Sequence, residues 1–71
     1  MAGMQTQDRL TPAERGERYA RLFRKAGAFL AKGETERALK ALSEGEGLAR
    51  RLGDRSMARR FAREVRRLQS A

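Results

Sequence analysis

The sequence contains no cysteine, histidine, asparagine or tryptophan, and it contains a single proline. The absence of cysteine excludes disulfide bonds and thiolate metal sites. The absence of histidine removes the commonest metal ligand and the usual general base of an enzyme. A chain of only 71 residues lies near the lower limit for a stable hydrophobic core, so association with another chain is the remaining source of extra stability.

Long apolar segments are also missing. No stretch approaches the roughly 20 apolar residues that are needed to cross a bilayer. The opening segment from Met1 to Gln7 lacks the basic and apolar regions of a signal peptide. We therefore expect a cytoplasmic protein without membrane contact, and we expect the aperiodic residues 1–10 to form a flexible tail.

Positive charge is in excess and is unevenly distributed. The chain carries 17 Lys and Arg against nine Asp and Glu, which gives a net charge of +8. The first 48 residues contain nine basic and seven acidic side chains, whereas residues 49–71 contain eight arginines and only two acids. Such an imbalance bears on what the surface attracts rather than on the fold. The last third of the chain is therefore where an anionic partner is to be sought.

The segment from Thr11 to Glu14 has the features of a helix start. Thr11 can cap the backbone, Pro12 suits the first helical position, and Glu14 can complete a capping box. At 100° per residue, the following apolar residues share one face and the cations lie opposite. The apolar face consists of Tyr19, Leu22, Phe23, Ala26, Phe29 and Leu30. The pattern predicts a first helix over about 12–31, ended by Gly33.

A second helix is predicted over about 35–52, and small residues dominate its inner face. That face consists of Ala38, Ala41, Leu42, Gly45, Leu48, Ala49 and Leu52. Gly45 and Gly47 each cost about 1 kcal/mol relative to alanine in a helix interior. Close packing can offset this cost at the inward-facing Gly45 but not at the outward-facing Gly47. A continuous helix is expected, with fraying or a kink over 43–47 as the alternative.

The third helix, predicted over about 55–69, separates apolar and cationic residues most clearly. Gly53 can end the second helix and Asp54 can cap the third. Met57, Ala58, Phe61, Val65 and Leu68 occupy an arc of about 100° on the helical wheel, as a surface helix requires. The other side of the wheel carries Arg55, Arg59, Arg60, Arg63, Arg66 and Arg67.

Together these elements predict an all-α fold in which residues 11–71 form a single three-helix domain. Short connections favour antiparallel neighbours. The expected architecture is a three-helix antiparallel bundle, in which a helical hairpin is followed by a basic amphipathic C-terminal helix.

The hairpin from Tyr19 to Asp54 resembles a single tetratricopeptide repeat. The family pattern asks for large, small and aromatic residues in the first helix, a turn glycine, and large and small residues in the second. The positions that match are Leu22, Ala26, Phe29, Gly33, Ala38, Leu39, Leu42 and Gly45. The segment 49–54 also resembles the end of the longer variants of this repeat, after which a new first helix begins. Arg50 stands where the family commonly has proline, and Leu22 stands where it has tryptophan.

This resemblance implies a non-catalytic module that binds a protein or peptide partner. A plain three-helix bundle remains the alternative, because any tight antiparallel hairpin needs small residues at its crossing. Solenoid repeats cannot bury their apolar faces alone, and three or more are normally stacked. Since this chain has at most one and a half repeats, we expect a homo-oligomer or a bound protein.

The candidate residues for that contact lie at the edge of the apolar face of the first helix. Leu22, Ala26 and Phe29 should face the second helix, whereas Phe23 and Leu30 should point toward the groove beside it. Either the third helix covers them or a partner must, because exposed apolar neighbours form an adhesive patch. The candidate partner-binding residues are Ala20, Phe23, Gly27 and Leu30.

Catalytic patterns are absent. Without histidine or cysteine, the candidate nucleophiles are a few scattered serines and threonines. Three pairs of neighbouring carboxylates occur, at Glu14/Glu17, Glu34/Glu36 and Glu44/Glu46. Each pair occupies a first turn or a polar face, where acids favour the helix dipole or pair with arginine. Because no phosphate-binding loop or metal-ligand spacing is present either, we expect no enzyme, metal, cofactor or small-molecule substrate.

The arginines of the third helix support an alternative function in nucleic-acid binding. The planar guanidinium binds phosphate through two hydrogen bonds, and five or six such contacts give salt-sensitive, largely sequence-independent affinity. The candidate anion contacts are Arg55, Arg59, Arg63, Arg66 and Arg67. The aromatic residues lie on the apolar faces, so no platform for stacking single-stranded bases is predicted. An acidic protein partner, or a solvated face without any partner, would account for the same arginines.

Overall fold

The computed structural model describes residues 10–70, and within this range the chain forms three α-helices and no strand. Helix α1 spans Pro12–Ala31, α2 spans Thr35–Arg51 and α3 spans Arg55–Ser70. The predicted all-α fold is therefore confirmed, with helix bounds that differ from the prediction by at most one residue. The predicted tail over 1–10 lies outside the described residues except for Leu10.

The predicted capping box at the start of α1 is present. The Thr11 Oγ1 accepts a hydrogen bond from the Glu14 backbone N–H at 3.1 Å, and Glu14 Oε1 accepts one from the Thr11 N–H at 2.9 Å. Pro12 occupies the beginning of the helix, where its missing N–H has no cost. Two otherwise unpaired backbone donors are satisfied, so α1 begins at a defined residue.

Both connections are turns that end a helix through a left-handed glycine. Gly33 has φ +76° and Gly53 has φ +74°, a region that residues with a Cβ rarely adopt. After α1, the Glu34 N–H donates to the Phe29 carbonyl at 2.9 Å. After α2, the Asp54 N–H donates to the Ala49 carbonyl at 2.8 Å. These hydrogen bonds form the Schellman motif, which reverses the chain over three residues.

Helix α2 is the central element, and both other helices pack against it. It runs without a break through residues 43–47, as the prediction of a continuous helix requires. Its small inner face lets the neighbours approach closely, and every residue of that face except the half-buried Leu52 is buried. The short turns make α2 antiparallel to both neighbours, and α1 and α3 consequently run in the same direction.

An aromatic cluster of Tyr19, Phe23 and Phe61 joins α1 to α3 beside α2. Phe61 is fully buried. Its ring stacks on Phe23 with centroids 4.3 Å apart, and it forms an edge-to-face pair with Tyr19 with centroids 5.8 Å apart. The ring also lies directly against Gly45, where an added Cβ would be 2.7 Å from Phe61 Cδ1 and closer still to Cε1 and Cζ. Gly45 therefore provides the space that Phe61 fills.

Asp54 connects the start of α3 to α1. Its Oδ1 accepts a hydrogen bond from the Met57 backbone N–H at 3.2 Å, which confirms the predicted cap. Its Oδ2 accepts a hydrogen bond from the Tyr19 hydroxyl at 3.1 Å. Burial, this hydrogen bond and the negative charge of Asp54 all raise the pKa of Tyr19 above 10.0, with burial the largest cause.

Candidate interaction surfaces

Three surfaces carry the residues with functional potential, and the first is the outer edge of α1. Leu30 is 38% exposed and is the one exposed large hydrophobic residue among residues 10–70. Gly27, one turn earlier, is exposed, and an added Cβ there would meet no atom within 4 Å. Ala20, two turns before Gly27, is half-buried. The predicted contact surface thus has its most exposed apolar side chain at the C-terminal end of α1.

Phe23 is covered by α3, although it belongs to the same edge of α1. One face of its ring stacks on Phe61, and the guanidinium carbon of Arg60 lies 5.2 Å from its centroid. A shallow groove between α1 and α3 surrounds it, lined by Gly16, Tyr19, Ala20, Phe23, Arg24, Met57 and Arg60. The structure therefore places Ala20 and Phe23 in this groove and Leu30 outside it.

The second surface is the arginine face of α3, by which we mean Arg55, Arg59, Arg63, Arg66 and Arg67. All five side chains are exposed. The Arg67 guanidinium pairs with Glu64 at 2.7 Å, and the other four have no carboxylate within 4 Å among the described residues. Arg55, Arg59 and Arg63 follow one another at four-residue intervals, which correspond to a rise of about 6 Å each. The face is thus convex, cationic and largely unpaired.

The third surface, which sequence reasoning missed, consists of two adjoining depressions between α1 and α2 that share Lys25 and Glu44. We call them together the basic groove. Its lining cations are Arg18, Arg21, Lys25, Arg37, Lys40 and Arg51, and Glu44 is the carboxylate of the lining. Half-buried Leu22 and Phe29 and buried Ala41 and Leu48 lie between them. The helical wheels contain the information that could have predicted this groove, because on each wheel the cations of α1 and α2 flank the residues through which the two helices pack. The cations of α1 and those of α2 line the same groove only once the two helices are packed together.

Clusters of three or more carboxylates and long apolar helices are absent from the described part of the chain. No group of three or more Asp or Glu side chains that could hold a metal ion occurs there. None of the helices in residues 10–70 has the length and the apolar character needed to cross a bilayer.

Comparison with protein families, curated proteins and solved structures gives no match to this chain.

Proposed function

We propose that this chain is a non-catalytic interaction module of the cytoplasm, built as a tetratricopeptide-like hairpin with one additional helix. The packing of α3 carries the proposal. Phe61 enters the space beside Gly45, and α3 runs parallel to α1 on the α2 surface, as the first helix of a following repeat would. Because repeats in an array are stabilised by their neighbours, we expect the faces of the α1–α2 hairpin that α3 leaves uncovered to bind another protein.

A second copy of the chain is the partner that we propose for the exposed end of α1. The core is small, with Phe61 as its one fully buried large side chain among residues 10–70, so association would supply stability that a chain of this size lacks. Leu30 offers an apolar contact that is solvent-exposed in the single chain. Homo-oligomers commonly use the same patch on both subunits, and Leu30 would then contact the Leu30 region of its partner.

Substitution of Leu30 tests this proposal. We expect Leu30→Asp to weaken self-association at least tenfold, because a carboxylate would be buried in an apolar contact. Ala28→Asp is the matched control, since Ala28 is exposed and lies about 160° away from Leu30 on the helical wheel. Analytical ultracentrifugation over a range of protein concentrations measures the effect. Equal association of both variants and the wild type would contradict the proposed contact.

Phe23→Asp would not be a clean probe of the same contact. Because Phe23 stacks on the buried Phe61, a carboxylate at position 23 would disturb the aromatic cluster of the single chain. We expect this variant to lose stability even as a monomer, by about 2 kcal/mol, because the half-buried ring that stacks on Phe61 is lost. A thermal unfolding curve distinguishes this loss from the loss of a subunit contact.

Nucleic-acid binding through the arginine face is the second candidate function. The observation that favours it is the exposure of four arginines without a carboxylate partner among the described residues. We expect duplex binding to fall steeply with salt as counterions are released. The triple variant Arg59→Glu, Arg63→Glu, Arg66→Glu should abolish it. Fluorescence anisotropy at about 50 mM salt, where such contacts are strong, measures both effects, and no binding by the wild type would exclude this function.

A further inference from the structure

The basic groove lies on the opposite side of the α1–α2 pair from α3. Its lining comes from α1 and α2 alone. On the wheel of α1, Arg18, Arg21 and Lys25 fall on the far side of Ala26 from Tyr19 and Phe23, which contact Phe61 of α3. The groove is therefore independent of the arginine face and of the α1–α3 groove.

Apolar side chains lie between the charged ones along this groove. Leu22 and Phe29 of α1 are half-buried beside Ala41 and Leu48 of α2. Phe29 also has the Arg37 guanidinium carbon 5.9 Å from its ring centroid. The groove thus combines an apolar floor with cations on both helices, and it differs in this respect from the convex arginine face.

The positive charge of the groove is only partly neutralised by the chain itself. Six cations face a single carboxylate, that of Glu44. Among the ion pairs of residues 10–70, only the Arg37–Glu34 pair, at 3.7 Å, involves one of the six. Arg21 and Lys25 are one helical turn apart, a spacing at which like charges repel. An anionic occupant would relieve this repulsion.

The shape of the groove indicates what kind of anion fits. A depression between two antiparallel helices accepts a third helix by the packing of ridges into grooves, as α3 packs on the other side of α2. Amphipathic helices dock in such grooves through apolar residues at positions i, i+3, i+4 and i+7. A second copy of this chain is disfavoured as the occupant, because each of its three helices carries more cations than carboxylates and none offers an acidic face to the groove.

We propose that the basic groove binds an acidic amphipathic helix of another protein. The apolar face of that helix would contact Leu22, Phe29 and Leu48, and its carboxylates would pair with the cations of α1 and α2. This inference rests on the proposed function as an interaction module, and it identifies a second, heterotypic contact beside the Leu30 contact. Duplex nucleic acid lacks the apolar face that would use the floor of the groove.

A designed peptide tests the proposal. The probe is a fluorescently labelled synthetic peptide of about 18 residues, or five helical turns, with leucines along one face and glutamates elsewhere. One control peptide has lysine in place of every glutamate, and a second has the same composition in scrambled order. Of the three peptides, we expect only the probe to bind tightly. Its binding should shift the backbone amide NMR signals of Lys25, Phe29 and Gly47.

Two charge-matched variants locate the contact. Arg21→Glu, Lys25→Glu, Lys40→Glu should weaken peptide binding at least tenfold. Arg59→Glu, Arg63→Glu, Arg66→Glu, with the same change of charge on α3, should weaken it no more than threefold. All six side chains are exposed, and circular dichroism verifies that both variants keep their helices.

Three results would overturn the proposal. They are equal weakening by the two variants, equal binding of the scrambled peptide, and preferential shifts of the groove signals by duplex DNA. The last result would assign the groove to nucleic acid. Repeating the titration on Leu30→Asp separates the two contacts, since the groove should bind the peptide whether or not the chain self-associates.

Discussion

Two glycines of α2, two residues apart, have opposite consequences for stability. Gly45 is buried and faces the ring of Phe61, whereas Gly47 has no atom within 4 Å of the position that a Cβ would occupy. Both reduce the intrinsic helix propensity of α2 equally, and the space beside Gly47 is empty only of atoms outside the local helix backbone. Gly45 alone has a packing reason to be glycine, because the ring that fills the space is held in place by its stacking on Phe23.

This difference yields a prediction with a built-in control. Gly47→Ala should raise the free energy of unfolding by about 1 kcal/mol, as expected for helix propensity alone. Gly45→Ala should lower it by about 1–2 kcal/mol, because overpacking a core outweighs the gain in propensity. Denaturant unfolding followed by circular dichroism measures both values. An increase of equal size in both variants would show that Phe61 moves away freely and that Gly45 is no packing requirement.

At the scale of the elements, the Tyr19–Asp54 hydrogen bond ties α1 to the start of α3. The pKa of Tyr19 is raised in the folded chain, so folding favours the protonated hydroxyl. The contribution of Tyr19 to the free energy of unfolding is fully present below the unfolded pKa of 10.0. It is lost as the pH rises through the higher folded pKa, because over that range the unfolded chain binds fewer protons than the folded chain. The raised pKa therefore predicts a loss of stability on the alkaline side.

The single tyrosine of the chain makes this prediction measurable. Tyr19→Phe should lower the free energy of unfolding by about 1 kcal/mol near neutral pH, the usual contribution of one hydrogen bond. The difference between wild type and variant should shrink as the pH rises from about 9 to about 11, where tyrosine ionises. Tyrosinate absorbance gives the pKa directly. A difference that stays constant over this range, or a pKa at or below 10.0, would contradict the assignment.

The sequence specifies where each helix begins and ends more completely than it specifies which helix faces pack together. The capping box at Thr11, the cap at Asp54 and the glycine stops at Gly33 and Gly53 depend on residues within five positions of one another, so local pattern predicts the helix bounds. The choice of α3 as the cover of Phe23 depends on Phe61, which is 38 positions away in the chain. The periodicity of the sequence places the rings of Phe23 and Phe61 on the apolar faces of their helices, but it does not predict that the two rings contact each other.

The same limit applies to the candidate surfaces. The arginine face lies on one helix, and a helical wheel suffices to predict that its side chains are exposed together. The basic groove takes cations from two helices, and each set taken alone is typical of a solvated polar face. Their union follows from the rotation of α1 about its axis relative to α2. That rotation depends on how the buried residues of both helices, Ala26 and Ala41 among them, pack in the core, and no single-helix pattern specifies it.

At the scale of the whole molecule, a net charge of +8 on 71 residues opposes the compact state through self-repulsion. We expect the melting temperature of the Leu30→Asp variant, at protein concentrations low enough to keep it monomeric, to rise by several degrees between about 10 mM and about 150 mM sodium chloride. Over this range the Debye length falls from about 30 Å to about 8 Å. Adding Arg59→Glu, Arg63→Glu and Arg66→Glu should reduce this rise. Differential scanning calorimetry measures it, and a melting temperature independent of salt would contradict the expectation.

The claim that this chain works in association is tested most directly by its molar mass in solution. Sedimentation equilibrium of the wild type, over a wide range of protein concentrations, should give a defined multiple of the chain mass of 8.0 kDa. The Ala28→Asp control should give the same multiple. A mass of 8.0 kDa at every concentration would contradict the proposed self-association.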